Sequence, residues 1–142
     1  NKDRRLRNLP DLKSSFEDKI VCWTIINTLE ILKELRLVID SKFGESVETH
    51  LYENRYFTGW YWLTITDRQA TKANAMSILL ENYGLQEKEV IVFGDHCNDY
   101  SMFQAADRAI AVANAIDELK EIATEVIGEN QDDSVVKYIT RD

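Results

Sequence analysis

Cysteine, histidine and proline are scarce in this sequence, at two, two and one residues of 142. None of the cysteines or histidines stands at the spacing of zinc ligands, so a zinc-built fold is excluded. Two cysteines with no secretory signal ahead of them point to a reducing compartment, and the cytoplasm is the expected location. No apolar run approaches the roughly 18 residues that a membrane span requires. Positive charge is also in deficit, since 17 basic against 25 acidic residues leave a formal charge of -8. A field of that sign repels nucleic acid and anionic membranes, so neither is an expected partner. A phosphorylated small molecule can still bind behind a metal ion. Nor is there an initiator methionine: the chain opens on Asn1 and a polar, basic run to Arg7, and a piece of a longer protein is the expectation.

What is present is a globular composition, with 44% hydrophobic residues, enough for one core or for a core and part of another. Residues 1–19 lack periodicity and hold the lone Pro10, which reads as a linker or loose terminus. Ile20-Val21-Cys22-Trp23-Thr24-Ile25-Ile26 is an apolar run of strand length. Asn27 or Thr28 can cap the helix after it, which carries Leu29, Leu32, Leu35 and Leu37 and runs down near Gly44. Two strand candidates follow, 47–52 and 60–66, joined as a hairpin around Glu53-Asn54-Arg55. Alternation puts Trp60 and Trp62 on one face and Tyr61, Leu63 and Ile65 on the other, so one face should meet a helix. Cross-strand packing explains the tryptophans more simply than a ligand pocket or an interface does. His50 has no partner in sequence and is expected at the surface.

After Asp67 the pattern turns helical. Thr71 can cap a helix whose apolar stripe is Ala73, Met76, Leu79, Leu80 and Tyr83, with Gly84 as its stop. Lys72 in the first turn opposes the helix dipole by roughly 0.3–1 kcal/mol. It is either a solvated lysine or, together with the first free N–H groups, a phosphate site. Val90-Ile91-Val92-Phe93 then reads as a buried strand and Gly94 as a sharp turn. Asp95, Asn98 and Asp99 crowd the next turn, where Asn98 or Asp99 can cap the following helix. Asp95 falls at the carboxyl end of a strand, where ligands bind in open α/β sheets. The turn is an acidic cap or a seat for Mg2+, which takes one or two carboxylates, keeps several waters and accepts a substrate phosphate. His96-Cys97 is a poor nucleophilic pair, because sequence neighbours point apart and no third group orients the histidine. Cys97 is expected to pack. Strand 108–113, a helix over 116–124, a short strand at 126–127 and helical turns at 134–139 complete a βα alternation, hence a mostly parallel sheet under helices.

These residues carry a resemblance to the haloacid dehalogenase superfamily, specifically its Cof-type sugar-phosphate phosphatases. The matching pattern is Thr71-Lys72 opening a helix, Gly94-Asp95-x-x-Asn98-Asp99-x-x-Met102, Ala111-Val112-Ala113-Asn114-Ala115, then Glu118-Leu119-Lys120 and Ala123. Val112-Ala113 stands where the family usually has methionine and glycine. The resemblance implies a parallel, Rossmann-like core over 69–142, preceded over 20–68 by the β-α-β-β closing part of an α+β cap domain. It also implies an aspartate that attacks a phosphoryl group to give an aspartyl-phosphate, which water then hydrolyses. Lys72, Asp95 and Asp99 match its catalytic set, with Asp95 on Mg2+, Lys72 and Asn98 on phosphate, and Asp99 behind Lys72 or the metal. A small phosphorylated metabolite, a sugar phosphate by that analogy, is the implied substrate.

The family's nucleophile lies in an Asp-x-Asp motif after the first core strand, followed by a Ser or Thr motif before the cap. Neither motif is in this sequence. The nearest imitation, Val38-Ile39-Asp40-Ser41-Lys42, has lysine in place of the second aspartate and falls at the end of a helix, so Asp40 is rejected as nucleophile. The expectation is therefore the C-terminal part of a longer phosphatase, inactive alone, with residues 90–93 paired to the N-terminal half or to a second copy. The readings from other classes are a receiver-like signalling module and a degenerate relative kept for binding. Receivers place their lysine after the acceptor aspartate, whereas Lys72 precedes Asp95.

Overall fold

The computed structural model describes residues 11, 13, 19–54 and 56–141. The lead-in expected over 1–19, Pro10 included, lies almost wholly outside them. Two small sheets divide the rest. Strand β1 (Cys22–Asn27), helix α1 (Leu29–Phe43) and strands β2 (Val47–Glu53) and β3 (Tyr61–Asp67) come first. They build an antiparallel sheet in the order β1-β3-β2, so β1 pairs with β3 as well as forming the expected β-α-β-β sequence.

Alternation decides what each face of this sheet does. Ile25, Leu63 and Leu51 lie abreast across the three strands and share the α1 side, where Leu63 and Leu32 of α1 are fully buried. Thr49 is on that side too, its hydroxyl donating to Asp40 Oδ1 at 2.7 Å. Asp40 is thus a structural acceptor on α1, also paired with Arg36 at 3.3 Å. On the opposite face three rows run across the sheet: Cys22, Thr66, Glu48; Thr24, Thr64, His50; Ile26, Trp62, Tyr52. Trp60 was expected to share the Trp62 face, but the strand begins at Tyr61 and Trp60 is exposed in the connection.

The second half follows as α2 (Lys72–Asn82), β4 (Ile91–Gly94), α3 (Tyr100–Ala105), β5 (Arg108–Val112), α4 (Asp117–Glu121), β6 (Glu125–Ile127) and α5 (Ser134–Ile139). Its sheet is parallel, in the order β4-β5-β6. Central β5 is buried at Ala109, Ile110, Ala111 and Val112, the continuous pattern of a strand covered on both faces. Val92, Phe103, Leu119 and Ile127 join it in one core. Gly84 takes φ +63° at the end of α2, a conformation open to glycine without steric cost, and this stops the helix as expected. No helix among the described residues is long and apolar enough to cross a membrane.

The stripe on α2 departs from expectation. Met76 and Leu80 are partly buried, but Leu79 is 56% and Tyr83 73% exposed, and no residue of the helix is fully buried. The reason is positional. Strand β4 is an edge strand, and α2 flanks an open apolar groove of about 560 Å3 beside Ile91, Val92 and Met102.

Candidate active site

Thr71 caps α2 by accepting the Asn74 N–H on its hydroxyl at 3.3 Å, which fixes Lys72 as the first helical residue. The Lys72 ammonium reaches across to Asp99 Oδ1. Asp99 is 1% exposed, and its other oxygen, Oδ2, accepts the backbone N–H groups of Asp95 at 3.0 Å and His96 at 3.2 Å. A buried carboxylate needs such partners, because an unpaired charge inside a protein is strongly disfavoured. Asp99 therefore folds the loop back on itself instead of capping α3, and the position before this turn is His96, not Asn98.

Gly94 makes the turn possible through space and not through φ. A Cβ there would lie 2.7 Å from both Asp99 Cβ and Asp99 Oδ2, closer than atoms can pack. Asp95 follows directly at the strand end, half-buried, its carbonyl accepting the Ile116 N–H at 3.1 Å. Both Asp99 oxygens are engaged, so Asp95 is the carboxylate of this loop available to a hard cation. Among the described residues no three His, Cys, Asp or Glu side chains gather into a metal site. A single carboxylate still suits Mg2+, which fills its octahedron from waters and substrate oxygens.

Lys72 and Asn98 line a cavity of about 320 Å3 between this loop and the antiparallel sheet, while Asp95 and Asp99 are outside its lining. Its other wall comes from Glu48, His50, Tyr52, Thr64 and Thr66, residues of the sheet face that looks away from α1. The loop and the start of α3 both reach the sheet. Ser101 donates to Glu48 Oε1 at 3.4 Å, and the Tyr52 ring meets His96 edge-on at 4.8 Å. Burial pushes the Tyr52 phenol above its usual range.

His50 corrects the surface expectation: its side chain is 14% exposed and its Nε2 lies 2.7 Å from Glu48 Oε1. The signal available in sequence was the period-two spacing of Glu48, His50 and Tyr52, which marks one polar face of a strand. His96 and Cys97 also meet, with Sγ 3.1 Å from Nδ1, although sequence neighbours were expected to point apart. Chemistry agrees with packing all the same, because burial pushes the Cys97 thiol up to about 11, far from the thiolate a nucleophile needs. Asn114 accepts the Asn130 N–H at 3.0 Å and so ties the loop after β5 to the loop after β6.

Comparison with known proteins places these features. The family described as haloacid dehalogenase-like hydrolase matches residues 2–139. The 5-amino-6-(5-phospho-D-ribitylamino)uracil phosphatase YwtE of Bacillus subtilis is 28% identical over 94% of this chain and 45% of its own length. The pyridoxal phosphate phosphatase YbhA of Escherichia coli is 34% identical over 68% of this chain and 36% of its own. Among solved structures, a haloacid dehalogenase-like hydrolase from Bacteroides thetaiotaomicron is 25% identical with a TM-score of 0.65, covering 94% of this chain and 48% of the other. A Bacillus subtilis structure superposes with a TM-score of 0.72 at 20% identity, over 94% of this chain and 46% of its own, which speaks for the fold alone. The chain spans under half the length of these relatives.

Proposed function

The chain belongs to the haloacid dehalogenase-like hydrolases, and from that premise we propose that it is the C-terminal part of a Mg2+-dependent phosphatase for a small phosphorylated metabolite. The relatives support this reading, being phosphatases whose names specify phosphorylated ribitylaminouracil and pyridoxal. The observation that carries it is the Lys72–Asp99 contact, which joins residues 27 positions apart. It holds an ammonium at the carboxyl end of β4, facing a cavity.

In this proposal residues 20–68 are the closing part of the cap and residues 69–142 the closing part of the core, with the cytoplasm as location. Lys72 would bind the phosphoryl oxygens, assisted by the first N–H groups of α2, because a developing trianionic centre needs fixed positive charge around it. Asn98, exposed at the cavity wall beside Lys72, would donate its amide to phosphate. Asp99 acts through Lys72, holding the ammonium in place and blocking its collapse onto Asp95. Asp95 would hold the Mg2+, which when bound would supply charge neutralisation for the phosphate. The nucleophilic aspartate would come from an N-terminal portion whose strand would lie beside β4.

Hydrolysis of p-nitrophenyl phosphate tests the proposal. The chain alone is expected to be inactive. The longer polypeptide that adds an Asp-x-Asp strand is expected to turn over, and Lys72→Met in it to lose about a hundredfold or more in kcat/KM. Turnover by the purified chain alone that disappears in Asp40→Asn would overturn the reading.

A further inference from the structure

The chain has two cysteines in 142 residues, both free, and both line the cavity of about 320 Å3 that also holds Lys72 and Asn98. They reach it from opposite walls. Cys22 stands on β1, in the row it shares with Thr66 and Glu48, on the sheet face that looks away from α1. The Thr66 hydroxyl donates to its Sγ at 3.6 Å. Cys97 stands in the loop after β4, its Sγ beside His96, whose ring meets Tyr52 of the sheet. Both sulfurs act on one group as well: after burial, the charge of Cys97 and then that of Cys22 push the Tyr52 phenol upward.

The two walls belong to different sheets. One turn, Arg68–Ala70, with none of its residues buried, carries the chain from β3 to α2 and so from the first sheet to the second half. A disulfide needs its two Cβ atoms within about 4.5 Å. Bonding Cys22 to Cys97 therefore draws the antiparallel sheet and the loop together across the cavity. Exposure gives the two thiols different parts, since Cys22 is open to a small oxidant in solution and Cys97 is half-buried.

We propose that Cys22 and Cys97 are a redox-sensitive pair, which a small-molecule disulfide such as oxidised glutathione joins across the cavity, closing the antiparallel sheet over Lys72 and shutting the site. The Cys22 thiolate attacks one sulfur of the oxidant and expels a glutathione thiolate, leaving a mixed disulfide. The Cys97 thiolate then attacks the Cys22 sulfur and expels the second glutathione. The two protein thiols give up one electron pair, the oxidant becomes two glutathione thiols, and the two protons end on those. In a reducing compartment disulfides are usually of this transient, redox-sensing kind. The bond itself stands on the placement of the cysteines, while the shutting of a catalytic site rests on the phosphatase reading above.

The test begins with the chain equilibrated in glutathione buffers at pH 7, stopped with acid and digested without reduction. Mass spectrometry is expected to find a Cys22–Cys97 peptide pair within one chain, and Cys97→Ser to stop at a glutathione adduct on Cys22. An unfolded chain can close the bond too, so the series is repeated in urea, where half formation should need about tenfold more oxidised glutathione. Adducts without the pair, or a pair that forms as readily in urea, overturn the proposal. In the longer polypeptide the oxidant should lower p-nitrophenyl phosphate turnover by about tenfold or more, dithiothreitol should restore it, and Cys22→Ser should escape the loss. No loss in wild type, or an equal loss in Cys22→Ser, overturns it as well. A fully reduced longer polypeptide without turnover overturns the phosphatase reading instead, and the peptide masses still decide the bond.

Discussion

Lys72 and Asp99 are 27 positions apart, and their contact welds the start of α2 to the loop after β4. The two partners are unequal, because the Asp99 side chain is 2% exposed and that of Lys72 48%. Removing the lysine leaves Asp99 with two backbone donors. Removing the carboxylate takes the acceptor from the N–H groups of Asp95 and His96, while the half-exposed ammonium turns to water. Asp99→Ala should therefore destabilise by about 2–4 kcal/mol and Lys72→Ala by at least about 1 kcal/mol less. Urea denaturation of both variants measures the difference, and equal costs would contradict the partner count.

Gly94→Ala should behave like Asp99→Ala. Its methyl would displace the Asp99 side chain from the position that accepts both N–H groups. A loss of about 2 kcal/mol or more is expected by the same denaturation. A neutral alanine would mean that the loop has slack the geometry does not show.

Asp95 gives a metal prediction. The chain supplies one carboxylate to a cation that prefers an octahedron of oxygens, so Mg2+ should bind weakly, at about millimolar concentration, with shifts in the amide signals of residues 94–99. Titration by heteronuclear NMR reads it directly. If those signals stay still while others move, Mg2+ sits elsewhere.

Much of this was legible in the sequence because local rules and tertiary contacts agreed. Thr71 and Gly84 bound α2 as their chemistry requires, and the apolar run before Gly94 became β4 with Asp95 at its end. The failures at Leu79, Tyr83 and His50 share one cause, since periodicity reports which residues are apolar and not what covers them. Leu79 and Tyr83 form a stripe facing an open groove. His50 and Glu48 are polar yet screened, because their strand face turns toward another element. Asp99 as a helix cap and Asp99 as a buried hub use the same residue and spacing, and only the long-range arrival of Lys72 separates them.

Cys97 yields a pH dependence. Its ordinary value is 9.0 and burial moves it to about 11, so the folded thiol keeps its proton where the unfolded thiol has lost it. The folded state binds more protons between those values, and this contribution to stability falls as pH rises through that window. At pH 8 the thiolate fraction is about one in a thousand, so iodoacetamide should label Cys97 far more slowly in the folded than in the unfolded chain. Peptide mapping after timed alkylation distinguishes the two, and equal rates would show that the site is open.

The last prediction concerns the bare side of β4. Ile91–Gly94 is hydrogen-bonded to β5 on one side and ends the sheet on the other. The adjoining groove exposes Leu79, Tyr83, Leu85 and Ile91 at 56%, 73%, 40% and 38%. Unpaired backbone donors and acceptors next to apolar side chains are a template for another strand. In the longer protein the N-terminal portion would supply that strand. In the isolated chain a second copy should take its place, so mass should rise with concentration in light scattering. Ile91→Lys puts a charge on the edge and should hold the chain monomeric. A monodisperse monomer whose β4 amides all resist hydrogen exchange would show that the edge is closed from within and would refute the missing strand.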